Sequence, residues 1–392
     1  MANTITDLIP DVFVSLDIVS RELVGFIAAA TRDATTERAA VNQTVRAFKT
    51  RTPTAGNITP GVTPPDDGDQ TVDNVDLTIT KARRVPFRWN GEQAKGLDNQ
   101  GPGRRAIMID QISQAVRVLC NEMETDLAVE AAIKASRAYG TATTAPFASS
   151  ASAGTDTAQL RKILDDNGCP LSDRMLVVST GGGAALRSHA QLQKLNETGT
   201  VDLLRHGTLI DLNSFAIRES AAVVRPTSGT MASATTNNAG YAVGATVLTL
   251  ALAGTGVAVA GDVVTFAGDT NKYVLASVSF AGANPAAGDT ITLNAPGLRV
   301  AMSAATKAIT VVAVSTRNVG FRRSSLILAA RLPALVDGED MADERSLVVD
   351  PVSGFAFEIA KYKQYRQTQW EISAAWGVKG IKSEHSSILL GE

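Results

Sequence analysis

The stretch RRAIMIDQISQAVRVLCNEMETDLAVEAAIKASRAYG, Arg104 to Gly140, contains no proline, and no glycine before its last residue. Nearly every residue in it is a good or tolerable helix former. The spacing predicts one helix from Arg104 to Tyr139, roughly 50 Å long at about 1.5 Å per residue. Ile109, Ile112, Val116, Leu119, Met123 and Leu127 recur at three- and four-residue intervals and form one apolar stripe. Val118, Val129 and Ile133 lie off it, and Arg117, Glu122, Glu124 and Lys134 mark the opposite, wet side. The heptad-like spacing runs for too few heptads to specify a coiled coil. The stripe is therefore expected to pack on a sheet of its own chain, not on a copy of itself.

Upstream, the composition changes. The segment NQTVRAFKTRTPTAGNITPGVTPPDDGDQ, residues 42–70, is rich in Pro, Gly, Thr and Asp. It is followed by TVDNVDLTITKARRVPFRW, in which Val75, Leu77 and Ile79 alternate with Asp76, Thr78 and Thr80, the period of a strand. Two strands around a Pro/Gly-rich tip predict a long extended hairpin over residues 42–99. Its charges are Arg46, Lys49 and Arg51 on one arm, Asp66, Asp67 and Asp69 at the tip, and Lys81, Arg83, Arg84 and Arg88 on the other arm. So polar a ribbon cannot be stable alone. Either it is a solvated loop, or the rest of the chain or a neighbouring subunit covers it. The first 41 residues, with Val14, Ile18, Leu23 and Ile27 at helical spacing, read as an amphipathic arm or as an ordinary first helix.

Downstream, a Thr/Ala/Ser-rich linker leads from the helix to an α/β unit over residues 156–225. There DTAQLRKILDDNGCP starts a helix with Asp156 as N-cap and closes it at Gly168 and Pro170. RMLVVST reads as a buried strand, GGGAALRSHAQLQKL as a second helix and GTLIDLNSFAIRES as a strand pair. Asp165 and Asp166 read as a solvated helix end. Residues 226–316 carry only six charges and many short β-type runs broken by glycine, which predicts a small β-barrel or sandwich. Its two GDxxT turns, at Asp262 and Asp289, read as plain strand starts. From Arg317 the chain reverts to an apolar segment, 317–345. Residues 346–392 then hold two alternating strands. Phe355, Phe357 and Ile359 share one face of the first, and Trp370, Ile372, Ala374, Trp376 and Val378 one face of the second. The long helix is the natural cover for that face.

Function classes narrow by elimination. A net charge of −2 and a pI near 6.0 do not suit a dedicated nucleic-acid binder. Short basic pairs such as Arg83-Arg84, Arg104-Arg105 and Arg322-Arg323 suit contacts with carboxylates of a neighbouring subunit, or plain solvation. Cys120 and Cys169 lie far apart and outside any CxxC pattern, so neither a disulfide framework nor a zinc site is expected. The apolar runs are too short for a membrane span, and the N-terminus lacks a basic n-region, so a cytosolic soluble chain is expected. The turn VVSTGGGAALRS has no glycine at Leu186 and no GK[ST], and so fails both phosphate-loop patterns. His189, His206 and His385 have no ligand spacing. No catalytic, cofactor-binding or metal-binding residues are assigned, and no enzyme activity is expected.

The order of parts resembles the major capsid proteins of tailed phages, the HK97-like fold: N-arm (1–41), E-loop hairpin (42–99), spine helix and linker (100–155), A-domain (156–225 and 317–345), inserted β domain (226–316) and peripheral strands (346–392). Three segments carry the detail. RMLVVSTGGGAALRSH is similar to the A-domain strand and helix, TRNVGFRRSSLILAARLPAL to the return segment, and AGDVVTFAG to the inserted barrel of short-tailed Salmonella-type phage coat proteins. The resemblance implies an α+β subunit in a virion capsid, assembled in the host cytoplasm as pentamers and hexamers around double-stranded DNA. It also implies scaffolding and portal proteins as partners, allows a decoration protein, and involves no cofactor. The charged hairpin residues would lie at subunit interfaces. Some relatives cross-link through an E-loop lysine. Lys49, Lys81 and Lys95 are available here, but no acceptor matches residue by residue, so a non-covalent shell is expected. Two rival readings are a non-viral shell of the encapsulin type and, through residues 226–316, a carbohydrate-binding adhesin.

Overall fold

The computed structural model describes residues 25–49, 53, 55–64, 73–100, 104–148, 154–193, 209, 211–336, 341–349 and 354–392. Val14, Ile18 and Leu23 of the expected arm lie outside them. Ile27 lies in a short helix α1 (Phe26–Ala29) that is buried within the subunit. It leads into β1 (Thr31–Ala39), which runs parallel to β14 (Leu326–Pro333). The end of the expected arm is therefore part of a sheet of the same chain.

The long helix is α3 (Arg104–Ile133), 30 residues and about 45 Å long at 1.5 Å per residue. It stops six residues short of Tyr139. The reason is non-local. Arg137–Tyr139 form strand β5 instead, paired with β10 (Lys272–Ser279) on one side and β18 (Ser386–Gly391) on the other. Sheet partners more than a hundred residues away outbid the local helix preference of Ala135–Arg137.

Six strands form one sheet. Its path is β1, β14, β17 (Gln367–Gly380), β16 (Ala356–Gln364) and β15 (Ala342–Val349), with β4 (Lys81–Asn90) against the other edge of β17. Helix α3 crosses this sheet. Ile112, Val116, Leu119, Met123 and Leu127 share one core with Phe355, Phe357, Ile359, Ile372 and Trp376 and with Val319 and Phe321 of β13 (Thr316–Arg322). Ile109 and Trp370 are only partly buried. The ring of Trp370 lies 5.5 Å from the Lys361 ammonium, and the indole N–H of Trp376 donates to Asp126 Oδ2 at 2.8 Å.

A second sheet runs through β12 (Ile309–Val311), β9 (Val263–Phe266), β10, β5, β18, β13, β6 (Arg174–Val178) and β7 (Phe215–Glu219). Helices α4 (Thr155–Asp166) and α5 (Thr180–Ser188) accompany β6 and β7 around a second core of Leu160, Leu164, Leu176, Val178 and Phe215. Several local expectations change here. Asp156 is not the cap of α4. Gly154 is, and the Asp156 carboxylate instead accepts the Phe147 N–H at 2.7 Å. Asp165 and Asp166 are exposed, as expected of a helix end, and each also makes an ion pair. Asp165 takes the fully buried Arg174 guanidinium at 2.6 Å, and Asp166 lies 3.4 Å from Arg137. Burial raises the Asp165 pKa, but Arg174 and Arg161 outweigh that and hold it below the usual carboxylate value. Of the expected strand pair over 207–220, the described residues hold β7, preceded by a turn in which Asn213 and Ser214 both adopt positive φ; Gly207, Thr208 and Ile210 lie outside the described residues. The glycine-rich turn is the first turn of α5, and the Ser179 hydroxyl accepts the Gly182 N–H there.

Residues 231–311 carry β8 (Val247–Thr249), β9, β10, β11 (Thr290–Leu293) and β12 around their own core of Leu248, Leu250, Phe266, Tyr273, Ile291 and Ile309. The two connections to this segment meet, since Arg317 N–H donates to Val224 O at 2.9 Å. Asp262 and Asp289 do more than start strands. Both are buried. Asp262 accepts the N–H groups of Gly229 and Val259, and Asp289 those of Ala281 and Ala286. Each carboxylate holds a loop that has no sheet partner of its own.

Candidate assembly surfaces

The hairpin is shorter than its sequence pattern. Its arms are β2 (Thr44–Lys49) and β3 (Asp73–Thr78), which pair only with each other. The alternation that continues through Lys81–Asn90 belongs to β4 in the six-stranded sheet, and a helix α2 (Gly91–Gln100) follows. Lys81, Arg83, Arg84 and Arg88 therefore sit on a sheet strand and not on the hairpin arm. They lie opposite Trp376, Ala374, Ser373 and Gln369 of β17.

The base of the hairpin is seated. Leu77 and Ile79 pack with Ala39, Ala329 and Ala375. The Thr80 N–H donates to Trp376 O, and Gly377 lies so close that a Cβ there would meet Thr78 O at 2.1 Å. Beyond the base, large apolar side chains are left open among the described residues. Phe48 is 78 % exposed, and Ile58 and Val62 are completely so.

The charges divide by place. Arg46 pairs with Asp76 across the hairpin at 3.1 Å, with both side chains exposed. Lys81 reaches Glu122 at 2.9 Å and Asp126 at 2.8 Å on α3, and Arg83 also reaches Glu122. Burial alone would lower the Lys81 pKa, but the two carboxylates outweigh it and raise it. Burial likewise raises Glu122, but Lys81 and Arg83 pull its pKa below the usual value. Arg84 pairs with Glu371 at 2.7 Å. Arg88 stays exposed on β4. The backbone of Lys49 pairs with Asp73, while Arg51, Asp66, Asp67 and Asp69 lie outside the described residues. Lys81, Arg83 and Arg84 thus tie the root of the hairpin to the long helix and the sheet of the same chain.

Glu124, assigned to the wet side of the helix, is the largest departure. It is 2 % exposed. Its carboxylate accepts the N–H groups of Gly25, Phe26 and Ile27 at 2.7–2.9 Å and the Ser220 hydroxyl at 2.7 Å. Burial raises its pKa by more than these four donors lower it. Here α1, α3 and the end of β7 meet. Gly25 is required, because a Cβ would sit 2.6 Å from Ser220 Cβ. No local signal in the sequence marks this site. Its donors are three backbone N–H groups and one hydroxyl, all nearly a hundred residues away.

Among the described residues, no group of three or more His, Cys, Asp or Glu could hold a metal ion, and no helix is long and apolar enough to cross a membrane.

Neither a protein-family model nor a curated protein sequence matches the chain. Solved structures similar to it include the capsid of cyanophage P-SCSP1u (9 % identity, TM-score 0.46, 92 % of this chain and 86 % of that one). A second is the mature capsid of bacteriophage PhiM1 (12 %, 0.44, 92 % and 85 %). A third is a virus-like particle from Pyrococcus furiosus (8 %, 0.43, 98 % and 98 %). The chain is thus similar over nearly its whole length to two phage capsids and one virus-like particle, at 8–12 % identity.

Proposed function

We propose that this chain is the major capsid protein of a tailed bacteriophage: a structural, non-enzymatic subunit, many copies of which close into an icosahedral shell around double-stranded DNA. The observation that carries the reading is the β2–β3 hairpin, seated at its base and uncovered beyond it, with Phe48, Ile58 and Val62 in water. A two-stranded ribbon bearing large exposed apolar side chains is not stable by itself, and a neighbouring copy is the cover that a repeating shell supplies. Summed over many copies, modest interfaces of this kind hold a particle together. Scaffolding and portal proteins are the partners for assembly, and DNA is contained without sequence recognition. On this reading Arg46, Lys49, Arg51, Asp66, Asp67 and Asp69 face a neighbouring copy, and residues 226–316 form an inserted module that braces the subunit from within.

Replacing residues 50–72 by a two-residue Asn-Gly turn tests the reading. The shortened chain is expected to unfold at the wild-type denaturant midpoint and to form no shells by negative-stain microscopy, with or without a scaffolding partner. Shells of normal appearance would overturn it. The shell is also held without covalent links. Mature particles should run as a single monomer band on a denaturing gel, and a ladder of cross-linked oligomers would contradict that.

A further inference from the structure

One end of the second sheet gathers positive charge that the described residues do not answer. Arg174 of β6 lies directly opposite Arg322 of β13. His385 comes one residue before Ser386, the β18 partner of Phe321, and so stands beside Arg322 on its other side. Directly opposed residues of neighbouring strands share a face, and this is the α4 face, on which Leu176 and Leu389 enter the second core. The Arg174 side chain is fully buried. Its Nη2 donates to Asp165 Oδ1 and Cys169 O, both at 2.6 Å, and its Nε to Pro170 O at 3.0 Å. Its Nη1 is buried without an acceptor, and Arg322 Nε and His385 Nδ1 are also buried without partners. Among the described residues no carboxylate pairs with Arg322. Burial first, and then Lys382, Arg322 and Arg174, hold the His385 pKa below the usual histidine value, against the pull of Glu384. The Glu384 Oε2 is itself buried without a partner.

Like charges set directly opposite each other on a sheet destabilise it, and a buried charged donor without an acceptor costs more than a neutral one. We propose that this end of the sheet binds one tetrahedral oxyanion of the sulfate or phosphate class, with Arg174 Nη1 and Arg322 Nε donating to its oxygens and the His385 imidazole alongside. A guanidinium carries its N–H groups in a rigid fork that suits such an ion. Asp165 and two carbonyls hold Arg174 in place before any ligand arrives, so one donor is preorganised. Arg322 is only half-buried, which leaves the ion a way in from solvent. The bound ion answers the second arginine. It also ties β6, β13 and the approach to β18 at one point, beside the short turn Arg323–Ser325 that leads to β14. Glu384 is the group that opposes it.

Isothermal titration of the full chain with sodium sulfate, at an ionic strength held constant with chloride, tests the site. The wild-type chain is expected to take up one sulfate in a saturable isotherm. Arg322→Gln removes a charge-assisted donor and should weaken uptake at least about tenfold, with an unchanged circular dichroism spectrum. Glu384→Gln removes the opposing carboxylate and should tighten uptake at least about threefold. No saturable uptake by the wild-type chain would overturn the site and leave water as the partner of both arginines. Uptake that Arg322→Gln leaves unchanged would overturn it too, by placing the ion elsewhere. Should Arg322→Gln fail to fold, Glu384→Gln decides alone, and unchanged or weaker uptake by that variant would refute the proposal.

Discussion

A chain in which residues 226–316 are removed and Arg225 is joined to Arg317 should fail to reach the native fold, even before assembly is asked of it. The cut does not stretch the chain, because Val224 O and Arg317 N–H are already bonded to each other. What is lost is support. Strand β10 leaves β5, to which it is paired at Tyr273–Arg137 and Lys272–Ala138. Val263 and Val274 leave a core they share with Ala135, Ala138, Ile388 and Leu390. Asn294 leaves two carbonyls at the end of α3. Two fully buried valines are each worth about 1.5–3 kcal/mol, and each orphaned buried carbonyl costs about 1–3 kcal/mol. The total, roughly 5–12 kcal/mol, is comparable to the whole stability of a typical domain, about 5–15 kcal/mol. Soluble yield and circular dichroism of the deleted chain measure the outcome. A soluble product that unfolds cooperatively at the wild-type midpoint would show instead that the module serves contacts between subunits.

Glu124→Ala should cost about 4 kcal/mol in the unfolding free energy of the unassembled chain. The substitution leaves three backbone N–H groups and the Ser220 hydroxyl without an acceptor, each an unmet buried donor costing about 1–3 kcal/mol. Removing a desolvated carboxylate returns part of that. Glu124→Gln keeps one acceptor oxygen but points two donors at donors, so it should recover only part of the loss. Urea unfolding followed by circular dichroism decides, and a loss below about 1 kcal/mol for the alanine variant would sink the account. The pH dependence has a definite sign. Burial leaves the Glu124 pKa raised in the fold, so the folded chain holds the proton more tightly than the unfolded one. Its contribution to stability is complete below the ordinary glutamate value, about 4.3, and is lost as pH climbs through the raised value. That component of the pH slope should be absent in Glu124→Ala.

These two sites show where a close reading of the chain succeeds and where it stops. The apolar stripe from Ile112 to Leu127, the alternating strands around Phe357 and Ile372, and the glycine-bounded strands between residues 247 and 311 are periodic. Period and burial are linked by geometry alone: a helix returns to one face every three or four residues and a strand every two. The α+β class and the order of parts follow from those periods. The uncovered hairpin was also legible, because its charges and prolines leave too little apolar surface to bury.

The amino-acid sequence by itself therefore determined the periodic elements and a polar hairpin with too little apolar surface to bury. Tertiary structure alone decided where the long helix ends, that Lys81, Arg83 and Arg84 pair within the chain, and that Glu124 is buried. It also decided that Asn294, Asp262 and Asp289 hold backbone that no strand holds. The reason is the same in each case. A helix end, an ion pair or a carboxylate accepting several N–H groups is settled by partners far away in the chain, at H-bond distances that no local period encodes.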